Sequence, residues 1–232
     1  MVKVRNLRAG YGSKVVIDDV SFDVENSKLV GLMGPNGSGK STIIKTFFGI
    51  AKTFSGSISV LGKNTKSYTL DELSKTVAVQ RPVKSGTIKL PLSAYVSLGL
   101  TVADKNRLDN VLQDFDLVAF RNTPISDLSD GTLQRASLAQ TVIRDPKVYL
   151  LDEPTAHLDL KYKVKTFAEI KKRLGPQNCA VAVVHDTSLA RAFCDWTVFL
   201  KDGRIFWQGE PKNITQELLG SLYDLEDNQI IL

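Results

Sequence analysis

Residues 34–42 read GPNGSGKST and satisfy the spacing G-x-x-x-x-G-K-[ST], with Gly34, Gly39, Lys40 and Ser41 at the defining positions. Glycine-rich backbone at Gly34, Gly37 and Gly39, with Pro35, Asn36, Ser38 and Thr42 between and after, lets N–H groups close around an anion. A helix starting there adds a favourable dipole. Lys40 is placed to reach the β/γ-phosphates, and Ser41 to offer its hydroxyl to Mg²⁺. The ligand this stretch predicts is a nucleoside triphosphate.

Three further positions carry chemistry that a phosphate loop needs. Asp152 and Glu153 follow the apolar run 148–151. An Asp in that position holds Mg²⁺ directly or through water in phosphate-loop enzymes, and a neighbouring carboxylate can orient and deprotonate an attacking water. His185, one of two histidines, ends another apolar run, 179–184. There it can bond a γ-phosphate and the attacking water, although a purely structural hydrogen-bonding histidine fits equally well when His185 is taken alone. Gln80 ends the short run 77–79 and could add a ligand to Mg²⁺ or to the water. Tyr11, in a Gly-Tyr-Gly turn, has a ring that can stack on a base or simply lie on the surface.

The elements that must hold these groups are legible as apolar periodicity. Residues 28–33 form a short buried strand before the loop, and Ile43, Ile44, Phe47 and Phe48 recur at helical spacing up to a stop at Gly49. Strands are expected at 2–8, 15–24, 57–61 (just after Gly56), 77–79 (ended by Pro82), 148–151 and 179–184. Asp202-Gly203 between 197–201 and 204–208 is a two-residue hairpin signal. Helices are expected at 92–100 after Pro91, at 108–120, at 136–144 with Ser129 or Asp130 as N-cap, at 164–174, and in the tail from Asn213. Carboxylates and amides at the tips of buried strands belong at the carboxyl crest of a parallel sheet, where open α/β sheets bind ligands. The stretch 86–145 has a different, helical texture. The reading is an α/β protein with a phosphate-loop core over 1–85 and 146–232 and a helical subdomain inserted at 86–145.

Bulk composition is that of an ordinary globular chain, with 43% hydrophobic and 24% charged residues, and no run approaches the roughly 20 apolar residues of a membrane span. The N-terminus lacks the apolar core of a secretory signal. Cys179 and Cys194 show no metal-ligand spacing and read as packed, reduced thiols. The net charge of +5 is scattered, without a nucleic-acid signature.

Taken together, the chain resembles the nucleotide-binding subunit of an ATP-binding cassette (ABC) transporter along essentially its full length. Tyr11 corresponds to the family's adenine-stacking aromatic, 34–42 to its Walker A loop, and Gln80 to its glutamine loop. The segment LSDGTLQR, 128–135, falls at the LSGGQ-type signature, 148–153 at Walker B with the catalytic glutamate, 156–159 at the D-loop ending in Asp159, and His185 at the switch histidine. The resemblance implies a RecA-like core with an N-terminal antiparallel β subdomain. It also implies ATP with Mg²⁺ held through Ser41, Gln80 and Asp152, and a catalytic set of Glu153, His185, Lys40 and Gln80. Two subunits would sandwich ATP head to tail, Ser129, Gly131 and Gln134 of one facing the phosphate loop of the other. Two transmembrane permease subunits would dock near Gln80 and the helical lobe, a substrate-binding protein would act indirectly, and the subunit would sit on the cytoplasmic face of the membrane. The stretches 153–160, 90–100 and 209–223 are similar to importers of iron-siderophore complexes, haem and cobalamin.

Two positions of the signature depart from the family pattern. Asp130 replaces the first glycine of the signature and Thr132 its usual Gln or Glu. A carboxylate 4 Å from a partner's γ-phosphate costs about 4 kcal/mol at an effective dielectric near 20. An outward side chain costs little, and the intact Glu153 and His185 favour that orientation. Two other readings are a soluble ABC ATPase that remodels a complex, such as an iron–sulfur assembly scaffold, and a regulatory nucleotide-binding module with its shared site disabled.

Overall fold

The apolar runs of the sequence become two sheets, each strand presenting alternate residues to opposite faces. The computed structural model describes residues 1–81, 89–98, 100 and 104–225. The chain begins with β1 (Val2–Tyr11) and β2 (Lys14–Val24), then enters the core as β3 (Leu29–Met33), all five of whose residues are buried. The loop 34–39 leads into α1 (Lys40–Thr46), and Gly49 follows in the left-handed region at φ 67°. Next come β4 (Lys52–Val60), the two-residue β5 (Lys63–Asn64), α2 (Leu70–Thr76) and β6 (Val77–Gln80). The helical stretch holds α3 (Leu92–Val96), α4 (Lys105–Asp114) and α5 (Asp130–Val142). The core then resumes with β7 (Val148–Leu151), α6 (Leu160–Arg173), β8 (Cys179–Val183) and α7 (Thr187–Phe193). It closes on the hairpin β9 (Trp196–Lys201) and β10 (Arg204–Gly209), followed by α8 (Gln216–Tyr223).

The larger sheet has the order β10-β9-β3-β8-β7-β6, parallel throughout except for the edge strand β10. The smaller one, β2-β1-β4-β5, is wholly antiparallel. Alternation along the parallel strands separates two cores. Val30, Leu32, Val148, Leu150, Val181 and Val183 join Ile43, Ile44 and Phe47 of α1 and the inner face of the antiparallel sheet. Met33, Tyr149, Leu151, Ala180 and Ala182 face the other way, towards Phe167 and Ile170 of α6 and the apolar residues of α3, α4 and α5. One helix is thus clamped between two sheets, and the other face carries the helical lobe. The mixed α/β class read from the sequence stands, antiparallel β layer included.

Several boundaries differ from the periodicity. The strand expected at 57–61 already starts at Lys52, and Gly56 lies inside it. There the β1–β4 register slips between Arg5 and Arg8, and a Cβ on Gly56 would stand 2.2 Å from the Asn6 carbonyl oxygen, so the glycine marks a bulge and not a strand start. The helix expected at 108–120 runs only over Lys105–Asp114. Asp116 turns left-handed at φ 52°, and a short 3₁₀ turn, Val118–Phe120, follows. α5 begins six residues before Ala136, at the signature itself, and ends at Val142; Ser129 is the N-cap, accepting from the Thr132 N–H. α2 and α7 are too short to announce themselves through apolar periodicity, though both carry N-caps, Thr69 in a capping box and Asp186. Pro82, residues 86–88, Gly99 and the tail 226–232 lie outside the described residues. Cys179 and Cys194 are free and buried, and burial pushes both thiols up to about 12.

Candidate functional site

The carboxyl ends of β3, β6, β7 and β8 gather the residues that the sequence singles out. β3 and β7 both flank β8, and β7 also pairs with β6. Their tips release the loop at Gly34, Gln80, Asp152 and, one residue past β8, Val184 and His185. Gly34 has φ 135°, and a Cβ there would lie 2.1 Å from the Leu200 carbonyl oxygen, so no side chain can occupy the point where the loop leaves the sheet.

Lys40 is buried at the start of α1, and its Nζ donates to the carbonyl oxygens of Gly34 at 2.7 Å and Pro35 at 2.8 Å. Burial lowers its pKa, opposed by the charges of Glu153 and Asp152. The Ser41 hydroxyl donates to Asp152 Oδ1 at 2.8 Å. Burial raises the Asp152 pKa and the adjacent Glu153 charge adds to that, while the Ser41 bond works against it. Hydroxyl and carboxylate are therefore held side by side as a pair of oxygen donors suited to a hard divalent cation.

Gln80 has no solvent exposure, and neither its Oε1 nor its Nε2 has a partner among the described residues. A fully buried amide with both polar ends unbonded is rare and calls for a ligand, an ion or water. The Gln80 carbonyl accepts from the Asp152 N–H at 3.0 Å, so the orphan amide and the carboxylate share one point of the sheet.

Glu153 takes φ 53°, an uncommon backbone state for a residue with a Cβ, and strain of this kind concentrates at functional sites. Its Oε1 lies 3.1 Å from His185 Nε2. Both side chains are about two-fifths exposed, which leaves the pair open to a reactant. A carboxylate oriented by an imidazole at the mouth of a phosphate loop can accept a proton from water.

The signature lies apart from this cluster. Ser129 and Asp130 are exposed, and among the described residues no hydrogen bond joins Ser129, Asp130 or Gly131 to residues 34–42. The Ser129 hydroxyl is 3.0 Å from Thr132 Oγ1, and Asp130 makes neither a side-chain hydrogen bond nor an ion pair among the described residues. A Cβ on Gly131 would stand 3.0 Å from the His157 carbonyl oxygen, so this glycine lets the signature pack against the 156–159 turn. Further along α5, the buried Gln134 donates Nε2 to the Glu153 carbonyl at 3.0 Å. Asp159 does not join the strand-tip cluster either; it caps α6 by accepting from the Tyr162 N–H.

At the other flank Tyr11 is exposed, its hydroxyl 3.5 Å from Thr42 Oγ1 and its ring 5.8 Å from Lys45 Nζ. Nothing in the sequence motif singles out Lys45, which only the third dimension brings beside Tyr11. Arg135 is likewise unmarked by type. Its guanidinium donates to the carbonyls of Phe115 and Asp116 and stacks 4.3 Å over the Tyr162 ring, fastening α5 to the end of α4 and to α6.

A family model described as ABC transporter matches residues 17–156, which carry the loop, the signature and the carboxylate pair. The chain belongs to the ABC transporter family. Along 97% of its length it is 31% identical to the petrobactin import ATP-binding protein YclP of Bacillus subtilis (strain 168), covering 93% of that protein. Along 96% it is 29% identical to the hemin import ATP-binding protein HmuV of Thermobifida fusca (strain YX), covering 81% of it. Among solved structures, the ATP-binding cassette MJ0796, a dimer in a post-hydrolysis state bound to ADP and Pi, superposes with a TM-score of 0.76 at 25% identity, over 92% of this chain and all of that one. The chain is thus an ABC ATP-binding subunit and an ATPase of the family. No helix among the described residues is long and apolar enough to cross a membrane.

Proposed function

We propose that this ABC subunit powers a membrane importer of iron complexes or cobalamin, hydrolysing ATP between two head-to-tail copies of itself or of a close relative. The observation that carries the hydrolytic reading is the contact of Glu153 with His185 at 3.1 Å beside the Ser41–Asp152 pair. Lys40 and the N–H groups of 34–39 bind the β- and γ-phosphates, and the Tyr11 ring stacks on the adenine. Ser41, Asp152 and the orphaned amide of Gln80 fit Mg²⁺, which when bound neutralises charge on the phosphate oxygens. Glu153 accepts the proton of the attacking water, and His185 orients Glu153 and bonds the γ-phosphate. Ser129 and Gly131 of the second copy complete each site, with Asp159 at the junction, whereas Gln134 is buried against the Glu153 carbonyl of its own chain and does not face a second copy.

The permease subunits dock beside Gln80. Arg81, Phe48, Val79, Tyr95, Ser137 and Gln140 line a cavity of about 370 Å³ between the end of α1, β6 and the helical lobe, where a segment of a permease would feel movement of both. A substrate-binding protein would deliver cargo to the permease, and the subunit would work at the cytoplasmic face of the membrane. The cargo class rests on similarity to the petrobactin and hemin import proteins.

Substitution Glu153→Gln keeps the size and removes the base. ATP turnover of the reconstituted transporter is expected to fall roughly 10²–10⁴-fold while ATP binding persists. Turnover equal to wild type would remove Glu153 from the mechanism. A transport assay with ferric chelates, haem and cobalamin tests the cargo; uptake of none of them in response to ATP defeats the assignment to this group of importers.

A further inference from the structure

The two sheets approach each other along their edge strands, and a cavity lies there. Among the described residues β2 pairs only with β1, and β10 only with β9. The two edges touch at one end, where the Asp18 N–H donates to the Gly203 carbonyl at 2.8 Å and Arg204 bonds the Asp18 carboxylate at 2.5 Å. From that point both strands run the same way, β2 towards Val24 and β10 towards Gly209. Among the described residues no backbone hydrogen bond joins 21–25 to 205–209. The edges part instead around a cleft of about 700 Å³ at the end of the sheet opposite the phosphate loop, floored by Val30 and Trp196.

An edge strand presents a row of unpaired N–H and C=O groups. Two such rows facing one cleft, on strands running in the same direction, suit one kind of occupant. A chain entering antiparallel to β2 is also antiparallel to β10, and it bridges the two sheets into one. Strand addition of this sort takes affinity from the main chain and specificity from alternate side chains.

Charge selects the occupant further. Asp23, Glu25, Asp195 and Glu210 line the cleft against Arg5 and Lys28. Asp23 is held by Arg5, and Asp195 by Lys171 and Lys28. Glu25 enters no ion pair among the described residues, and Glu210 pairs only with Lys212, a flexible exposed side chain two residues on. Trp196 is more than one-third exposed at the floor and offers a face for a cation. The chain's own tail fits poorly, since residues 226 and 227 are Glu and Asp.

We infer that this cleft receives an extended, lysine- or arginine-bearing segment of a partner polypeptide, added as a strand between β2 and β10. The last four residues of β2 and Glu25 after them, 21–25, span roughly 17 Å and set the length of the segment at four to six residues.

The test uses the full chain and a capped six-residue peptide alternating Lys with Val and Thr, followed by calorimetry and amide hydrogen exchange. Binding is expected, with slowed exchange at 21–25 and 205–209. Affinity should fall at least tenfold for the Glu25→Lys, Glu210→Lys double variant, both sites being exposed and outside the nucleotide cluster. A peptide N-methylated at alternate residues should lose binding to the unaltered protein by a similar factor. The proposal is overturned by absence of binding at millimolar peptide, by equal binding of the N-methylated or a Glu-for-Lys peptide, or by cadaverine alone saturating the cleft. Self-association through this cleft that excludes the peptide also overturns it, in favour of a second copy as occupant.

Discussion

The phosphate loop and the signature are both glycine-bearing turns that open a helix, yet the fold treats them in opposite ways. Around the loop the central groups engage one another: Lys40 bonds two carbonyls, Ser41 bonds Asp152, and Glu153 meets His185. At the signature the exposed Asp130 has no partner among the described residues, and Ser129 only caps its own helix. A site that gathers charge into a buried place must satisfy that charge internally. A surface that waits for another molecule can leave its groups in water.

The contrast breaks most visibly at Lys40. Lys40→Ala removes a buried cation aimed at the loop, and ATP binding is expected to weaken roughly 10- to 100-fold, the loss of one or two charge-assisted hydrogen bonds. Equilibrium titration with a fluorescent ATP analogue measures it; unchanged affinity would place the triphosphate elsewhere.

Asp152 sharpens the comparison through stability. Its native pKa is raised, so its contribution to folding is fully present below the unfolded value and is lost as pH rises through the native one. At neutral pH the ionised carboxylate therefore destabilises the fold. Asp152→Asn should raise the unfolding temperature at pH 7 while abolishing turnover. The gain should shrink towards acid pH. A calorimetric scan showing a lower unfolding temperature for the variant at pH 7 contradicts this account.

The smallest change is expected at the exposed turn. With Asp130 pointing into water, Asp130→Gly should alter ATPase turnover by less than about threefold. A carboxylate facing a partner's γ-phosphate would be worth several kcal/mol, so a rise beyond about thirtyfold in turnover, or in ATP-driven dimerisation of the Glu153→Gln protein, would show that it faces inward.

The same division decides what could be read from the sequence. The loop is legible because its chemistry is written in consecutive residues: the order Gly-Lys-Ser after a buried strand specifies backbone and side chains together. The strand tips were legible for a related reason, since a fully apolar run that stops at Asp152 or His185 places the next side chain at the sheet's crest. Contacts between distant segments were not. Lys45 beside Tyr11, and Arg135 fastening 115–116 to Tyr162, depend on how α1 and α5 lie in three dimensions. The 108–120 stretch misled because its apolar spacing continues past Asp116, where the backbone turns left-handed and the helix has already ended. Gly56 misled similarly, a bulge within a strand having the same residue type as a turn before one.

The bond from Gln134 to the Glu153 carbonyl has a consequence for timing. In the proposed dimer the exposed start of α5, at Ser129, serves the partner's nucleotide, while Gln134 further along the same helix holds the carbonyl of Glu153, which serves the chain's own, so one helix belongs to two reaction centres. A shift of α5 as one nucleotide is lost would tug on a strained residue, φ 53°, that must hold water at the other. Two chemically identical pockets wired in this manner need not fire together; the first to react can set the readiness of the second.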